Sequence, residues 1–191
     1  MKNKILTLIF VLAAISAMST SVLADERLII ADFDSEGISE ITWRAGDAVE
    51  EIITVPDPER GSARRNILAV YTAKTDSSVI RTVSADFESV LDLSEYKNIN
   101  ASVYVDRITY SGNNSCFVRI TVHSADGDSI ESIVSLEAGL WQDISVDISS
   151  WNGRQNISSL EFGVIPDHVD AGIWDGGFTL DNIYAAGMVT T

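Results

Sequence analysis

The apolar residues of this chain recur at every second position, in short runs separated by turn signals, along almost all of its length after residue 25. This period of two is typical of β-strands, whose successive side chains point to opposite faces of a sheet. The runs are rich in Val, Ile, Thr and aromatic residues, and stretches such as PDPERGS, SGNNS and SADGD separate them. No run has a sustained helical period. The pattern predicts an all-β chain, folded as an antiparallel β-sandwich of the jelly-roll kind.

The first 24 residues are predicted to be a secretory signal peptide. Lys2 and Lys4 precede an apolar run too short for a convincing membrane span, and Val22 and Ala24 mark a small-residue cleavage site. The alternative is an uncleaved N-terminal anchor. We therefore expect a secreted or periplasmic protein whose residues 25–191 form a single domain.

The charge of the chain excludes two classes of partner. Loss of Lys2 and Lys4 with the signal peptide leaves 11 of 13 basic residues against 28 acidic ones, a formal charge of −17. Such a surface repels phosphate backbones and anionic lipid, so neither nucleic acid nor membrane insertion is expected. The single cysteine, Cys116, alternates with Val118 and Ile120 along one predicted strand, so all three point to the same face of the sheet. Cys116 is therefore expected to be a buried thiol.

Strand parity also predicts a binding face. The polar sides of two predicted strands carry four candidate ligand-binding residues, which are Tyr104, Asp106, Arg119 and His123. Tyr71 is a fifth candidate if its strand faces the same way, because alternation leaves open which face of that strand is core. If their strands lie in one sheet, these side chains form one patch. Aromatic rings stack on the C–H faces of sugars and charged groups hydrogen-bond the hydroxyls, so such a patch favours a glycan. The alternative is an ordinary solvated sheet face.

Trp174 is a further candidate at the end of the sandwich. It lies among glycines and aspartates in the stretch DAGIWDGGF. A tryptophan in such a loop either packs inward or contacts a ligand, and both alternatives stay open.

Acidic residues alternate at the start of the predicted domain, in the stretch ADFDSEG. In a strand, Asp32, Asp34 and Glu36 share one face and repel one another unless a cation lies between them. Calcium, which takes six to eight oxygen ligands, is one explanation. The alternative is a set of solvated acids that protects an edge strand from aggregation.

Several stretches, in order, resemble a known family. ADFDSEG is followed by a tryptophan in ISEITWRAG, and then come RGSARRNILAVYT, LDLSEYKNINASVYV, AGLWQDISVDISSW, ISSLEFGV and GGFTLDNIYAAG. This order resembles the galactose-binding-like jelly rolls used as carbohydrate-binding modules, particularly the family-eleven modules of bacterial cellulases. The likeness spans nearly the whole predicted domain.

The resemblance implies a structural calcium ion and part of a glycan site. Asp32 and Asp34 match the paired acids of the first strand in such modules, and Asp181 matches their C-terminal aspartate ligand. Carbonyls of the RGS stretch would complete the shell. Tyr71 matches a tyrosine at the glucan cleft, whereas two further tyrosines of those modules are absent here, where the chain reads WRAGDAV and EFGVI.

The expected function is therefore non-catalytic binding of a polysaccharide or oligosaccharide. No G-x-S-x-G elbow is present, and the two histidines, His123 and His168, are far apart in sequence. Domains of this fold also bind proteins, so the alternative is a protein-binding or structural domain whose partner is a surface protein.

Overall fold

The computed structural model describes residues 27–34, 36–37, 40–56, 66–73, 75–76, 79–107, 115–166, 173–174 and 176–188. The predicted signal peptide, residues 1–24, lies outside them, and so does His168. The strands in chain order are β1 (Arg27–Asp32), β2 (Glu36–Gly37), β3 (Ile41–Ala45), β4 (Val49–Pro56), β5 (Asn66–Thr72), β6 (Thr75–Asp76), β7 (Arg81–Leu91), β8 (Tyr96–Val105), β9 (Ser115–Ser124), β10 (Ser129–Glu137), β11 (Trp141–Asp147), β12 (Ile157–Pro166), β13 (Ile173–Trp174) and β14 (Gly177–Met188). A short 3₁₀ turn (Asn152–Gln155) precedes β12.

Two antiparallel sheets form the sandwich, which confirms the predicted fold class. In the front sheet, β11 pairs with β8 and β8 pairs with β14. The other edge of β14 pairs first with β5 and then with β1, which continue to β4 and β2. The back sheet has the order β10-β9-β12-β7-β3. β6 and β13 pair with each other in a separate two-stranded sheet.

The core lies between the sheets and follows the predicted period of two. On β9, Cys116, Val118, Ile120 and Val122 are all 0% exposed, which confirms the buried thiol. Their partners across the core come from the inner sides of β8 and β14, among them Val103 and Leu180. The Asp126-Gly127 pair closes the β9–β10 hairpin, where Gly127 has a φ of 89° that favours glycine.

Two turns of the same design carry the chain between the sheets, one from β7 in the back sheet to β8 in the front, and the other from β11 in the front sheet towards β12 in the back. Asp92 Oδ1 accepts the N–H of Ser94 at 2.9 Å, and Asp147 Oδ1 accepts the N–H of Ser149 at 2.8 Å. These bonds lower the pKa of both carboxyl groups, through the backbone N–H first at Asp92 and the serine hydroxyl first at Asp147. Because folding lowers both values, the bonds stabilise the fold above the usual pKa of 3.8 and are lost as the pH falls through the folded value.

Among the described residues, no helix is long and apolar enough to cross a membrane.

Two phenylalanines of the back sheet test the assignment of its faces. Phe162 on β12 is 0% exposed and faces the core, whereas Phe117 on β9 is 37% exposed on the outside. We expect Phe162→Ala to lower the free energy of unfolding by about 3–5 kcal/mol, because it leaves a cavity. Phe117→Ala should change it by less than about 1 kcal/mol. Urea denaturation measures both, and equal losses would contradict the assignment.

Candidate functional site

Aromatic side chains border a depression of about 220 Å³ on the outer face of the front sheet. We call it the aromatic slot; its outward residues are Val55, Ile67, Ala69, Tyr71, Tyr104, Asp106, Trp141, Gly177 and Thr179. β5 and β8 flank β14, so Tyr71 and Tyr104 stand on strands about 10 Å apart. The residues of β14 between them, Gly177 and Thr179, are small. The slot therefore has aromatic walls and a low floor.

Asp106 is held at one end of the slot. Its Oδ2 accepts the N–H of Gly177 at 2.7 Å, and its own N–H donates to the Gly177 carbonyl at 3.0 Å. A Cβ at position 177 would lie 2.6 Å from the Val70 carbonyl oxygen and 3.3 Å from Asp106 Oδ2, so only glycine fits. The Asp106 Oδ1 atom has no hydrogen-bond partner among the described residues and is an acceptor for a ligand.

Trp141, which was not among the predicted binding residues, also borders the slot. Its ring lies 5.7 Å from that of Tyr104, centroid to centroid, at an angle of 44°. The signal was present in the parity of β11: Ile144 and Val146 face the core, so Trp141 and Asp143 face outward. Both aromatic rings are half-buried and present a rigid wall.

A second depression, of about 410 Å³, lies on the same face. We call it the polar pocket; its residues are Arg27, Ile29, Asp32, Ser102, Asp143, Asn182, Ile183 and Tyr184. The Arg27 guanidinium lies over the Tyr184 ring, with its Cζ 4.7 Å from the ring centroid. Ser102 donates its hydroxyl to Asp143 Oδ1 at 2.7 Å. Sequence reasoning selected only Asp32 from this set, and for another role.

The structure separates the predicted binding patch into two. Tyr71, Tyr104 and Asp106 meet on the front sheet, but Arg119 and His123 lie on β9 in the back sheet. The assumption that β8 and β9 share a sheet is therefore wrong, because the chain crosses from one sheet to the other between them. Arg119 instead pairs with Glu161 at 2.5 Å.

Trp174 lies in β13, which pairs with β6, and not in a loop. Its side chain is outside the described part of the structure, so its contact with a ligand stays a prediction.

The alternating acids do not lie on one continuous strand. β1 ends at Asp32, and the chain folds back so that Glu36 pairs with Asp32 in a hairpin. The turn forms because Asp32 Oδ1 accepts the N–H of Asp34 at 3.1 Å, a bond that aspartate readily offers its own backbone. The expectation of three acids on one strand face is therefore corrected.

The three predicted calcium ligands, Asp32, Asp34 and Asp181, lie on segments near one junction of strands, but the structure does not bring them together as a metal-binding group. Leu180 is the last residue of β14 to pair with β5 and Ile183 the first to pair with β1, so the two strands meet beside Asp181. Asp34 Oδ1 accepts the N–H of Asn66 across this junction. Asp181, 2% exposed, accepts both the backbone and the side-chain N–H of Asn182. No group of three or more acidic, His or Cys side chains able to hold a metal occurs among the described residues.

No protein-family profile matches the chain, and no curated protein is recognisably similar to it in sequence. Solved structures do match its fold. The family 11 carbohydrate-binding module from Clostridium thermocellum, in complex with a β-1,3-1,4-mixed-linked tetrasaccharide, is 16% identical over 88% of this chain and 99% of its own, with a TM-score of 0.54. A carbohydrate-binding module specific for non-crystalline cellulose is 9% identical over 85% of this chain and 95% of its own, with a TM-score of 0.62.

An exo-β-agarase also matches, with 12% identity over 85% of this chain and a TM-score of 0.56, but over only 26% of its own length. The chain spans about a quarter of the agarases that it matches. At these identities the likeness establishes the fold. The resemblance found in the sequence is thus confirmed: the chain has the β-sandwich of carbohydrate-binding modules.

The Asp106–Gly177 contact is testable by paired substitutions. Asp106→Ala removes an acceptor and should lower the free energy of unfolding by about 1 kcal/mol, whereas Asp106→Asn keeps an oxygen at that place and should lower it less. Urea denaturation of the two variants measures the difference. Equal stability of both variants and the parent would contradict the contact.

Proposed function

We propose that this protein is a non-catalytic carbohydrate-binding domain whose ligand lies on the outer face of the front sheet. The observation that supports this most directly is the aromatic slot, where Tyr71, Tyr104 and Trp141 stand around a floor of small residues. The fold is that of a module solved in complex with a β-1,3-1,4-mixed-linked tetrasaccharide and of another that is specific for non-crystalline cellulose.

Each part of the slot has a function in this proposal. The faces of Tyr71, which is 46% exposed, and Trp141 stack on the C–H surface of sugar rings. The hydrogen bond from Gly177 already fixes the Asp106 side chain. Accepting a further hydrogen bond from a sugar hydroxyl therefore costs little additional side-chain entropy. Small floor residues let the sugar approach the sheet closely.

The charge of the face selects among glycans. Asp106 borders the slot, and Asp32 and Asp143 border the adjoining polar pocket, where Arg27 is the only basic residue of the lining. With a formal charge of −15 on the whole chain, such a face repels uronic acids and sulfated sugars. The proposed ligand is therefore a neutral polysaccharide.

Binding without catalysis is part of the proposal. The solved structures matched over nearly their whole length are binding modules, while the agarases match over about a quarter of theirs. Export through the signal peptide at residues 1–24 would bring the domain to extracellular or periplasmic polysaccharide.

Removal of one ring tests the proposed site. Trp141→Ala and Tyr71→Ala should each weaken retention on a bound polysaccharide roughly tenfold, since stacking contributes about 1 kcal/mol or more beyond buried area. Affinity electrophoresis through mixed-linked β-glucan, cellulose, xylan and agarose measures this.

Phe117→Ala is the matched control, an exposed aromatic on the other sheet that should leave retention unchanged. Polygalacturonate, an anionic polymer, should not retain the protein. Retention by none of the four neutral polysaccharides, or retention lost only in the control, would contradict the proposed function.

A calcium ion at the junction of β1, β5 and β14 is a separate proposal. Asp34 contacts Asn66, the first described residue after the stretch 57–65. That stretch contains the RGS residues, whose carbonyls would complete the shell and which lie outside the described residues. If calcium binds the folded state alone, a concentration of 100 times the Kd stabilises it by about 2.7 kcal/mol and raises the melting temperature.

Scanning calorimetry of the chelated protein with and without added calcium measures that shift. Asp34→Asn keeps an acceptor for the Asn66 N–H but removes a charged ligand. The chelated variant should therefore be as stable as the chelated parent protein, but added calcium should not raise its melting temperature. An unchanged melting temperature of the parent protein would contradict the ion.

A protein-binding function is the second candidate, and it rests on the back sheet. Ile133, 54% exposed, lies beside Arg119 on the outside, and the exposed Phe117 is diagonal to it. Exposed aromatic and aliphatic side chains next to an arginine are common in protein interfaces. Loss of binding to a surface protein in Ile133→Ser, with glycan retention intact, would support it.

A further inference from the structure

The polar pocket contains three hydrogen-bond acceptors that the protein itself holds in place. Asp32 uses Oδ1 for the N–H of Asp34, and Asp143 uses Oδ1 for the hydroxyl of Ser102. Asn182 donates its side-chain N–H to Asp181 Oδ2 at 3.0 Å. Each side chain keeps one oxygen with no partner among the described residues. The pocket is thus pre-ordered to accept hydrogen bonds from a ligand.

Asn182 has a left-handed backbone conformation, which is uncommon for a residue other than glycine. Its φ is 49°, and it lies in the irregular stretch of β14 between Asp181 and Tyr184. Bulges of this kind change the direction of a side chain and often occur near binding sites. Asp181, buried and bonded to both N–H groups of Asn182, acts as a positioning residue for it.

The polar pocket and the aromatic slot adjoin each other. Tyr104 and Ser102 are successive outward residues of β8, and Trp141 and Asp143 are successive outward residues of the neighbouring β11. Successive outward residues are about 7 Å apart along a strand. A ligand that leaves the slot along these strands therefore enters the pocket directly.

The available groups define the chemistry of that ligand. Three fixed acceptor oxygens favour a ligand with several hydroxyl donors. Two of the three oxygens belong to carboxylates, which repel an anionic ligand. The Arg27 guanidinium, which lies over Tyr184, is a donor at the pocket edge. Sugar hydroxyls, which both donate and accept, match this arrangement.

We propose that the polar pocket is a second sugar subsite, which binds the hydroxyls of a further part of the same neutral chain that occupies the aromatic slot. The inference rests on the proposed function of the slot. It makes the ligand an extended oligosaccharide of several sugar units, because a monosaccharide reaches only one of the two depressions.

The test uses oligosaccharides of two to six units prepared from whichever neutral polysaccharide retains the protein. Calorimetric titration in the presence of a chelator should show hexasaccharide binding at least about tenfold tighter than disaccharide binding. Asp143→Ala should weaken hexasaccharide binding about tenfold, as for one lost charge-assisted hydrogen bond, and Asn182→Gly about fivefold, as for one lost neutral hydrogen bond. Both should leave disaccharide binding unchanged. Glycine at 182 keeps the positive φ without strain.

Glu131→Ala is the matched control, since it removes one exposed acid from the back sheet and should affect neither ligand. Affinity that does not depend on chain length, or that both variants leave unchanged while Trp141→Ala weakens it, would overturn the second subsite and leave the proposed function standing. Effects of Asp143→Ala seen only with added calcium would overturn it as well, because the pocket would then hold a cation. Absence of binding to every oligosaccharide would overturn both proposals.

Discussion

The geometry of this protein depends on one strand, β14, and on the alternation of its side chains. Phe178, Leu180, Ile183 and Ala185 point inward and are almost wholly buried, so they fix the strand against the core. The outward positions between them then become the floor of the face that we propose as the binding site. β14 is also the only described strand that pairs with β8, β5 and β1, so these elements take their places from it. Because the buried side chains of β14 fix its position, the strand tolerates a glycine and a bulge at its outward positions.

Alternation alone was sufficient to predict much of this fold. The inward residues of β9, such as Val118 and Ile120, were correctly identified because the strand has one buried face. The same rule, applied to β11, would have placed Trp141 on the outward face of its strand. Parity could not show which sheet a strand joins. Arg119 and Tyr104 both point outward, but from opposite sides of the sandwich, because pairing depends on the path of the chain between strands.

The acids at the start of the described chain illustrate a second limit. The alternation of Asp32 and Asp34 has the period of a strand, yet the aspartate side chain bonds its own backbone and turns the chain. Repulsion between these acids is relieved at least in part by N–H donors, including that of Asn66. The left-handed conformation of Asn182 is likewise a consequence of tertiary structure, since β14 must change partners from β5 to β1 beside it.

The central claim, that the front sheet binds a neutral carbohydrate, is tested most directly by an NMR titration of ¹⁵N-labelled protein. The ligand is a soluble oligosaccharide of the polysaccharide that retains the protein. The account predicts that the amide signals of β14, from Gly177 to Tyr184, shift on titration together with those of the facing residues on β5, β8 and β11. Signals of β9 and β10 should stay in place. Shifts centred on Arg119 and Ile133, with β14 unchanged, would contradict it.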